Sequence, residues 1–140
     1  MKKDNTIRIL ILEDDLEALS VLMKNLYILE QNLPYTLLAI TVFSEYTQVE
    51  SYVNKVSDSS FDVILLDRDC RMGGSFHVLN FKKFNTDKII SISTVPEWNN
   101  EAVERGVKKI CWKGHDNIED WGERIAEFIK NMLMNQEEEL

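Results

Sequence analysis

The sequence predicts one α/β domain, a doubly wound five-stranded parallel sheet with helices on both faces. Short β-branched apolar runs, typical of strands covered on both faces, alternate about five times with segments of helical spacing. No Pro-, Gly- or Ser-rich linker divides the 140 residues, a length typical of one domain. Parallel strands need crossover connections, and the helical segments between the apolar runs can supply them.

Composition and charge narrow the function classes. With 44% hydrophobic and 29% charged residues, the chain has the balance of a globular domain, not of a disordered segment. Its net charge of −8 disfavours binding to phosphate backbones, so we expect no direct nucleic-acid partner. Cys70 and Cys111 are too few for a disulfide framework or a zinc site. Because no apolar run could span a bilayer and no secretory signal opens the sequence, we expect a cytoplasmic protein without membrane insertion.

Five continuous apolar runs are predicted as the strands of the sheet. They are rich in Ile, Leu and Val, as strands buried on both faces require. In chain order they are Ile7–Leu12, Leu37–Phe43, Val63–Leu66, Ile89–Ser93 and Lys109–Trp112. In this interpretation Trp112 belongs to the core, whereas an exposed Trp112 would suggest a surface for a protein partner.

Helical spacing predicts a helix after each strand. The first covers Leu16 to Leu33, with Pro34 as its stop. The others are predicted over Tyr46–Val56 with Ser44 as N-cap, around Phe76, Leu79 and Lys83, around Trp98, Ala102 and Val103 closed by Gly106, and from Ile118 to Met132. We expect a single domain over residues 1–140, with its core at about 7–133 and a solvated acidic tail at about 134–140.

Polar and charged residues follow four of the five predicted strands. They are Glu13 and Asp14 after the first, Asp67 after the third, Ser93 after the fourth and Lys113 after the fifth. The carboxyl ends of parallel strands meet at one edge of a sheet, where ligands bind in folds of this class. Because clustered carboxylates repel one another, the pattern predicts a site for a hard divalent cation such as Mg²⁺.

These residues also have ordinary structural interpretations. Asp14 or Asp15 could cap the helix that begins at Leu16, and Asp67 could be a turn residue. The hydroxyl after the fourth strand and the lysine after the fifth could be solvent-exposed side chains. Their joint placement at four strand ends favours a functional site.

Four motifs in a fixed order carry a resemblance to a known family. They are Ile9-Leu10-Ile11-Leu12-Glu13-Asp14-Asp15, Phe61-Asp62-Val63-Ile64-Leu65-Leu66-Asp67, Ile89-Ile90-Ser91-Ile92-Ser93 and, last, Lys113. Their order resembles the receiver domain of bacterial two-component response regulators, over about residues 7 to 133. The resemblance implies the flavodoxin-like strand order 2-1-3-4-5.

The resemblance also implies a role for each matching residue. These are Asp67 as phosphoacceptor, Glu13 and Asp14 as the acid pair that holds Mg²⁺ together with Asp67, Ser93 as switch hydroxyl, Lys113 as phosphoryl contact, and Asp69 as a metal ligand through its backbone carbonyl. The implied function is a phosphoacceptor signalling domain that catalyses only its own phosphorylation and dephosphorylation.

The implied partners are a histidine kinase or phosphotransfer protein as phosphoryl donor and a downstream protein as target. We expect a monomer or weak dimer. Because the sequence ends soon after the last predicted helix, we expect a stand-alone receiver whose output is recognition by another protein.

Departures from the family pattern keep two other interpretations open. Thr94, Ile110 and Gly114 stand where the family usually has a small residue, an aromatic residue and a proline. They suit a receiver-like interaction module whose phosphorylation no longer matters. The run Asp67-Arg68-Asp69 also resembles the nucleophile motif of haloacid-dehalogenase-type phosphatases, although that family places its metal-binding acids after the lysine.

Overall fold

Strands and helices alternate along the residues that a computed structural model describes, namely 5–68, 73–93, 95–112 and 117–138. The strands are β1 (Asn5–Leu12), β2 (Thr36–Phe43), β3 (Val63–Leu66), β4 (Ile89–Ser91) and β5 (Lys109–Ile110). The helices are α1 (Leu16–Gln31), α2 (Tyr46–Ser51), α3 (Pro96–Glu104) and α4 (Ile118–Glu138). Short 3₁₀ turns occupy Val53–Lys55, Asp58–Ser60, Phe76–Val78 and Thr86–Lys88.

The five strands form one parallel sheet in the order β2-β1-β3-β4-β5. The predicted fold class and strand order are therefore confirmed. β1 lies between β2 and β3, and its residues Ile9 to Leu12 have no solvent exposure. That position explains why the sequence of β1 is apolar without alternation.

Successive side chains of the central strands point to opposite faces of the sheet. Ile9 and Ile11 pack with α1 and α4, whereas Leu10 and Leu12 pack with α2, α3 and the connections around them. The two faces thus hold two separate apolar clusters. Several buried polar side chains, among them Glu13, Asp67 and Ser93, lie at or just beyond the ends of the central strands.

The fifth strand is shorter than predicted, and this changes the surroundings of Trp112. β5 ends at Ile110, and Trp112 is 43% exposed, so the prediction that it belongs to the core is wrong. The fully buried tryptophan is Trp121 of α4, whose indole N–H donates to the Cys111 carbonyl at 3.1 Å. Burial raises the pKa of the Cys111 thiol to about 11.

The second predicted helix is cut short. α2 ends at Ser51. Its N-cap residue is Glu45, which makes no side-chain capping bond, so the prediction of Ser44 as the N-cap is wrong. A 3₁₀ turn at Val53–Lys55 follows, and within it the Asn54 side-chain amide donates to the Val78 carbonyl at 2.9 Å.

The third predicted helix is not formed. Phe76 and Leu79 are buried as expected, but the segment makes only a 3₁₀ turn that ends at Val78. The Asn80 side chain then accepts hydrogen bonds from the backbone N–H groups of Lys82 and Lys83. Such a local bond competes with helix formation and stabilises a turn instead.

The helix ends also differ from the predictions. α1 stops at Gln31, two residues before Leu33, and α4 continues to Glu138, into the segment predicted as a tail. Among the described residues, no helix combines the length and the apolar character needed to cross a bilayer.

Candidate functional site

The candidate site lies where β1 and β3 end side by side. Leu12 and Leu66 are register partners, and the Asp67 N–H donates to the Leu12 carbonyl at 3.0 Å. Glu13 and Asp67 therefore leave adjacent strands at the same level. Ser93 follows two residues after β4, the next strand of the sheet.

Three carboxylates meet at this edge of the sheet. Ligand atoms of Glu13, Asp14 and Asp67 all lie within 4.8 Å of one another. Glu13 is fully buried, Asp67 is 8% exposed and Asp14 is partly buried. Three hard oxygen donors at this spacing fit a Mg²⁺ ion, which takes carboxylate ligands and keeps part of its water shell.

The backbone around Glu13 helps to hold its charge. Glu13 Oε2 accepts from the N–H groups of Asp14 at 3.1 Å and Asp15 at 3.3 Å. Hydrogen bonds to an ionised carboxylate partly replace the water that burial removes. These two bonds hold Glu13 Oε2 in place at a position that solvent does not reach.

The structure assigns the helix cap to Asp15. Its side chain accepts from the Glu17 N–H at 3.0 Å, at the N-cap position of α1. Of the two residues that the sequence left open, Asp14 is the one that joins the cluster. The capping interpretation therefore explains Asp15 and leaves Asp14 for the site.

Ser93 lies directly against Asp67. The Ser93 hydroxyl donates to Asp67 Oδ1 at 2.9 Å, and the same oxygen accepts from the Arg68 N–H at 2.8 Å. The Arg68 N–H also lies 3.1 Å from Ser93 Oγ. Ser93 has no solvent exposure. Two of the predicted site residues are therefore in direct contact.

A buried asparagine that the sequence analysis missed holds Ser93 in place. Asn99 Oδ1 accepts from the Ser93 N–H at 3.2 Å and from the Ser91 hydroxyl at 2.6 Å, and Asn99 Nδ2 donates to the Ser93 carbonyl at 3.1 Å. The helical spacing had favoured Trp98 and Val103 as inward residues of α3. Ala102, which the same spacing also predicted, is buried, but the other buried residue of α3 is Asn99, and its separation of three residues from Ala102 was the available signal.

A second polar chain leads from the site to α3. Arg68 Nε donates to Glu101 Oε2 at 3.1 Å, and Glu101 Oε1 lies 3.3 Å from His77 Nδ1. The Arg68 guanidinium also lies over the Trp98 ring, 5.2 Å from its centroid. The residue after Asp67 is thus joined to α3 by both an ion pair and a ring contact.

His77, the other partner of Glu101, is buried with 7% exposure. Desolvation lowers the pKa of its ring, against the opposing effect of the Glu101 carboxylate, with the Arg105 and Arg68 charges adding to the lowering. Nδ1–H donates to Glu101, and Nε2 has no partner among the described residues. A neutral ring leaves Nε2 as an unpaired acceptor, which costs less than an unpaired donor on a cation. For Glu101, desolvation raises the pKa, but the bonds and charges of His77 and Arg68 outweigh it and lower the pKa.

Part of the predicted site lies outside the described residues. Lys113 and Asp69 do, as do Thr94 and Gly114, two of the departures from the family pattern. Ile110 is described, at the end of β5, and is partly buried against the cluster that contains Leu10 and Leu12.

Comparison with known proteins defines the class of fold. No protein-family model and no curated protein matches the sequence. Among solved structures, the chain has the fold of a receiver domain. The crystal structure of a response regulator receiver domain from Rhodospirillum rubrum superposes with a TM-score of 0.71 at 14% sequence identity, covering 89% of this chain and 94% of that one. The fold behind the resemblance is therefore confirmed.

Proposed function

We propose that this protein is a phosphoacceptor signalling domain. It accepts a phosphoryl group on Asp67 from a histidine kinase or phosphotransfer protein and signals by binding another protein. The observation that carries the proposal is the position of Asp67, a buried carboxylate that clusters with those of Glu13 and Asp14 and accepts from the Ser93 hydroxyl at 2.9 Å.

The chemistry proposed for Asp67 is a nucleophilic displacement at phosphorus. A carboxylate oxygen attacks the phosphorus, the bond from phosphorus to the donor's leaving atom breaks, and the leaving group departs with the electron pair. Bound Mg²⁺ would neutralise charge on the phosphoryl oxygens as they approach the carboxylates. Glu13 and Asp14, with Asp67, are the residues that would hold it, and the Asp69 carbonyl is proposed as a further ligand.

Ser93 and Lys113 are proposed to bind the phosphoryl group after transfer. The Ser93 hydroxyl already points at the acceptor, so it can donate to a phosphoryl oxygen attached there. Lys113 would supply a positive charge to another oxygen. Hydrolysis of the acyl phosphate by water at the same site would reset the domain.

One observation favours a second function. Ile110, at the end of β5 and partly buried, takes the place of the aromatic residue that the family usually has there. A receiver-like module whose binding surface does not depend on phosphorylation is compatible with this replacement. The phosphatase interpretation gains no such support, since the carboxylates that meet Asp67 precede it in the chain.

Labelling with small phosphoryl reagents tests the proposal. Wild type with Mg²⁺ should bind beryllofluoride, a phosphoryl mimic, and should form an acyl phosphate with acetyl phosphate, whose acetate leaves. Asp67→Asn should do neither. Asp62→Asn is the matched control, because it removes the same charge from the opposite end of β3, where Asp62 accepts from the Arg8 N–H at 2.8 Å. Equal labelling of wild type and Asp67→Asn contradicts the assignment of Asp67, and no response in wild type favours the phosphorylation-independent module.

A further inference from the structure

We propose that Asn99 is a positioning residue for the phosphoryl site: it holds Ser93 against Asp67 before any phosphoryl group arrives. The inference rests on the proposed function and adds to it a residue outside the motifs that carry the family resemblance. Asn99 touches neither Asp67 nor the acid pair in the contacts described above, so its effect must pass through Ser93.

The geometry of Asn99 resembles a short piece of strand pairing. Its side-chain amide accepts from the Ser93 N–H at 3.2 Å and donates to the Ser93 carbonyl at 3.1 Å. These two bonds fix both backbone polar groups of a residue that lies beyond the end of β4. With the backbone fixed on both sides, the direction of the Ser93 Cα–Cβ bond is fixed as well.

Burial makes this clamp rigid. Asn99 is 3% exposed, and Ser91 and Ser93 have no exposure. Water therefore cannot readily take over the bonds, and breaking one leaves a buried polar group unpaired. The third bond, from the Ser91 hydroxyl to Asn99 Oδ1 at 2.6 Å, anchors the amide to β4 itself.

The consequence concerns how the site responds to a phosphoryl group. If the backbone at Ser93 were free to move, bringing its hydroxyl to the phosphoryl group would cost conformational entropy at that step. In this chain Ser93 is already ordered when the protein folds. Its hydroxyl then only exchanges one hydrogen-bond acceptor, Asp67 Oδ1, for another, a phosphoryl oxygen. Preorganisation of this kind raises affinity for the charged group that arrives.

A double-mutant cycle tests the proposal with beryllofluoride and Mg²⁺ as the probe. In the Ser93 wild-type background, Asn99→Ala should weaken beryllofluoride binding about three- to tenfold, the effect of one hydrogen bond. In the Ser93→Ala background, the same substitution should leave the affinity unchanged, because the hydroxyl that Asn99 positions is gone. A coupling of this kind distinguishes positioning from a general loss of stability.

Two further variants make the cycle decisive. Asn99→Ser removes the amide bonds to Ser93 without adding a charge, and it takes the place of Asn99→Ala if that variant does not fold. Ser91→Ala is the matched control, because it removes one buried bond to Asn99 and leaves the two to Ser93 intact; its affinity should stay within about twofold of wild type. Equal weakening by the Asn99 variants with and without the Ser93 hydroxyl, or no weakening at all, overturns the inference. Failure of wild type to bind beryllofluoride overturns the proposed function along with it.

Discussion

Arg68 Nε lies 3.1 Å from Glu101 Oε2, and this ion pair joins the residue that follows Asp67 to the middle of α3. The Arg68 N–H meanwhile donates to Asp67 Oδ1 at 2.8 Å. One residue thus contacts the proposed phosphoacceptor with its backbone and α3 with its side chain. A partly exposed pair of this kind adds little stability. The pair matters because it connects Asp67, through Arg68 alone, to the surface helix α3.

Mg²⁺ is expected to stabilise the protein through the three clustered carboxylates. At a concentration about ten times its dissociation constant, a ligand that binds only the folded state adds about 1.4 kcal/mol to the free energy of unfolding. Asp14→Asn should lower this gain, because it removes one of the three charges that the cation neutralises. Thermal unfolding with and without Mg²⁺ measures the effect.

Asp15→Asn is the matched control for that experiment. It removes the same charge from the adjacent residue, and asparagine caps helices about as well as aspartate. The Mg²⁺-dependent gain should therefore persist in Asp15→Asn. Equal gains in the two variants would show that the cation binds elsewhere.

His77 should make stability depend on pH below neutrality. Burial lowers the pKa of its ring in the folded state, so the unfolded chain binds more protons as pH falls below about 6.5. The contribution of the neutral His77 ring to the free energy of unfolding is therefore fully present above that pH. It is lost as the pH falls towards the pKa of the ring in the folded state. The loss from this residue cannot exceed about 1.4 kcal/mol at one pH unit below the unfolded value.

Two variants isolate this contribution in chemical denaturation between about pH 7.5 and 5.5. His77→Leu should flatten the profile, because it removes the titrating ring. Glu101→Gln should steepen it, because the Glu101 carboxylate opposes the lowering of the His77 pKa. The pKa of Glu101 is itself lowered, so the stability that its ionised form contributes is lost only when the pH falls below the usual pKa of 4.5, outside this window. An unchanged profile in His77→Leu would assign the pH dependence to other groups.

Gly122 sets how closely α4 approaches α1. A Cβ at this position would lie 2.5 Å from Val21 Cγ1 and 2.6 Å from Asn25 Nδ2. Replacing glycine by alanine inside a helix normally stabilises it by about 1 kcal/mol. Here we expect Gly122→Ala to destabilise the protein by about 1–3 kcal/mol, because the helices must move apart.

The same substitution in a Val21→Ala background provides the control. Removing the Val21 methyl groups opens space on one side of the new Cβ, so part of the lost stability should return relative to Val21→Ala alone. Urea denaturation of the four proteins gives the coupling. A simple sum of the two effects would show that contact with Val21 is not the cause.

The central strands could be predicted from the sequence because β3, β4 and the second half of β1 are buried on both faces and are therefore continuously apolar or nearly so. Ile9 to Leu12 form a continuous apolar run that can be recognised in the sequence without knowing which elements surround it. The acid pair and Asp67 could be predicted for a related reason: residues that end adjacent parallel strands must lie close together. Here local pattern and topology are enough.

The polar contacts around the site could not be predicted in this way. His77 and Glu101 are 24 residues apart, and nothing local marks them as partners. Its spacing from Ala102 could place Asn99 on the buried face of α3, but its bonds to Ser91 and Ser93 depend on how α3 packs against β4. The missing third helix has the same origin, because Asn80 makes a side-chain bond that a periodicity argument does not register.

Trp98 should report on the state of Asp67 through Arg68. The guanidinium of Arg68 lies over the Trp98 ring and is held by Glu101. The backbone N–H of Arg68 donates to Asp67 Oδ1. Attaching beryllofluoride to Asp67 changes the charge and hydrogen bonding at that oxygen, so the backbone of Arg68 and the cation above the ring should shift. The emission of Trp98 responds to such a change because its ring lies 5.2 Å from the guanidinium carbon.

The three tryptophans allow this signal to be assigned. Trp121 is fully buried on the face of the sheet that α1 covers, opposite the face that α3 covers. Trp112 follows β5 and is 43% exposed. The fluorescence change on adding beryllofluoride with Mg²⁺ should therefore persist in Trp112→Phe and be lost in Trp98→Phe. Arg68→Gln should reduce it while leaving Asp67 able to bind the mimic, as a titration of bound beryllofluoride would show. A signal that survives in Trp98→Phe would mean that the change at Asp67 reaches another part of the fold.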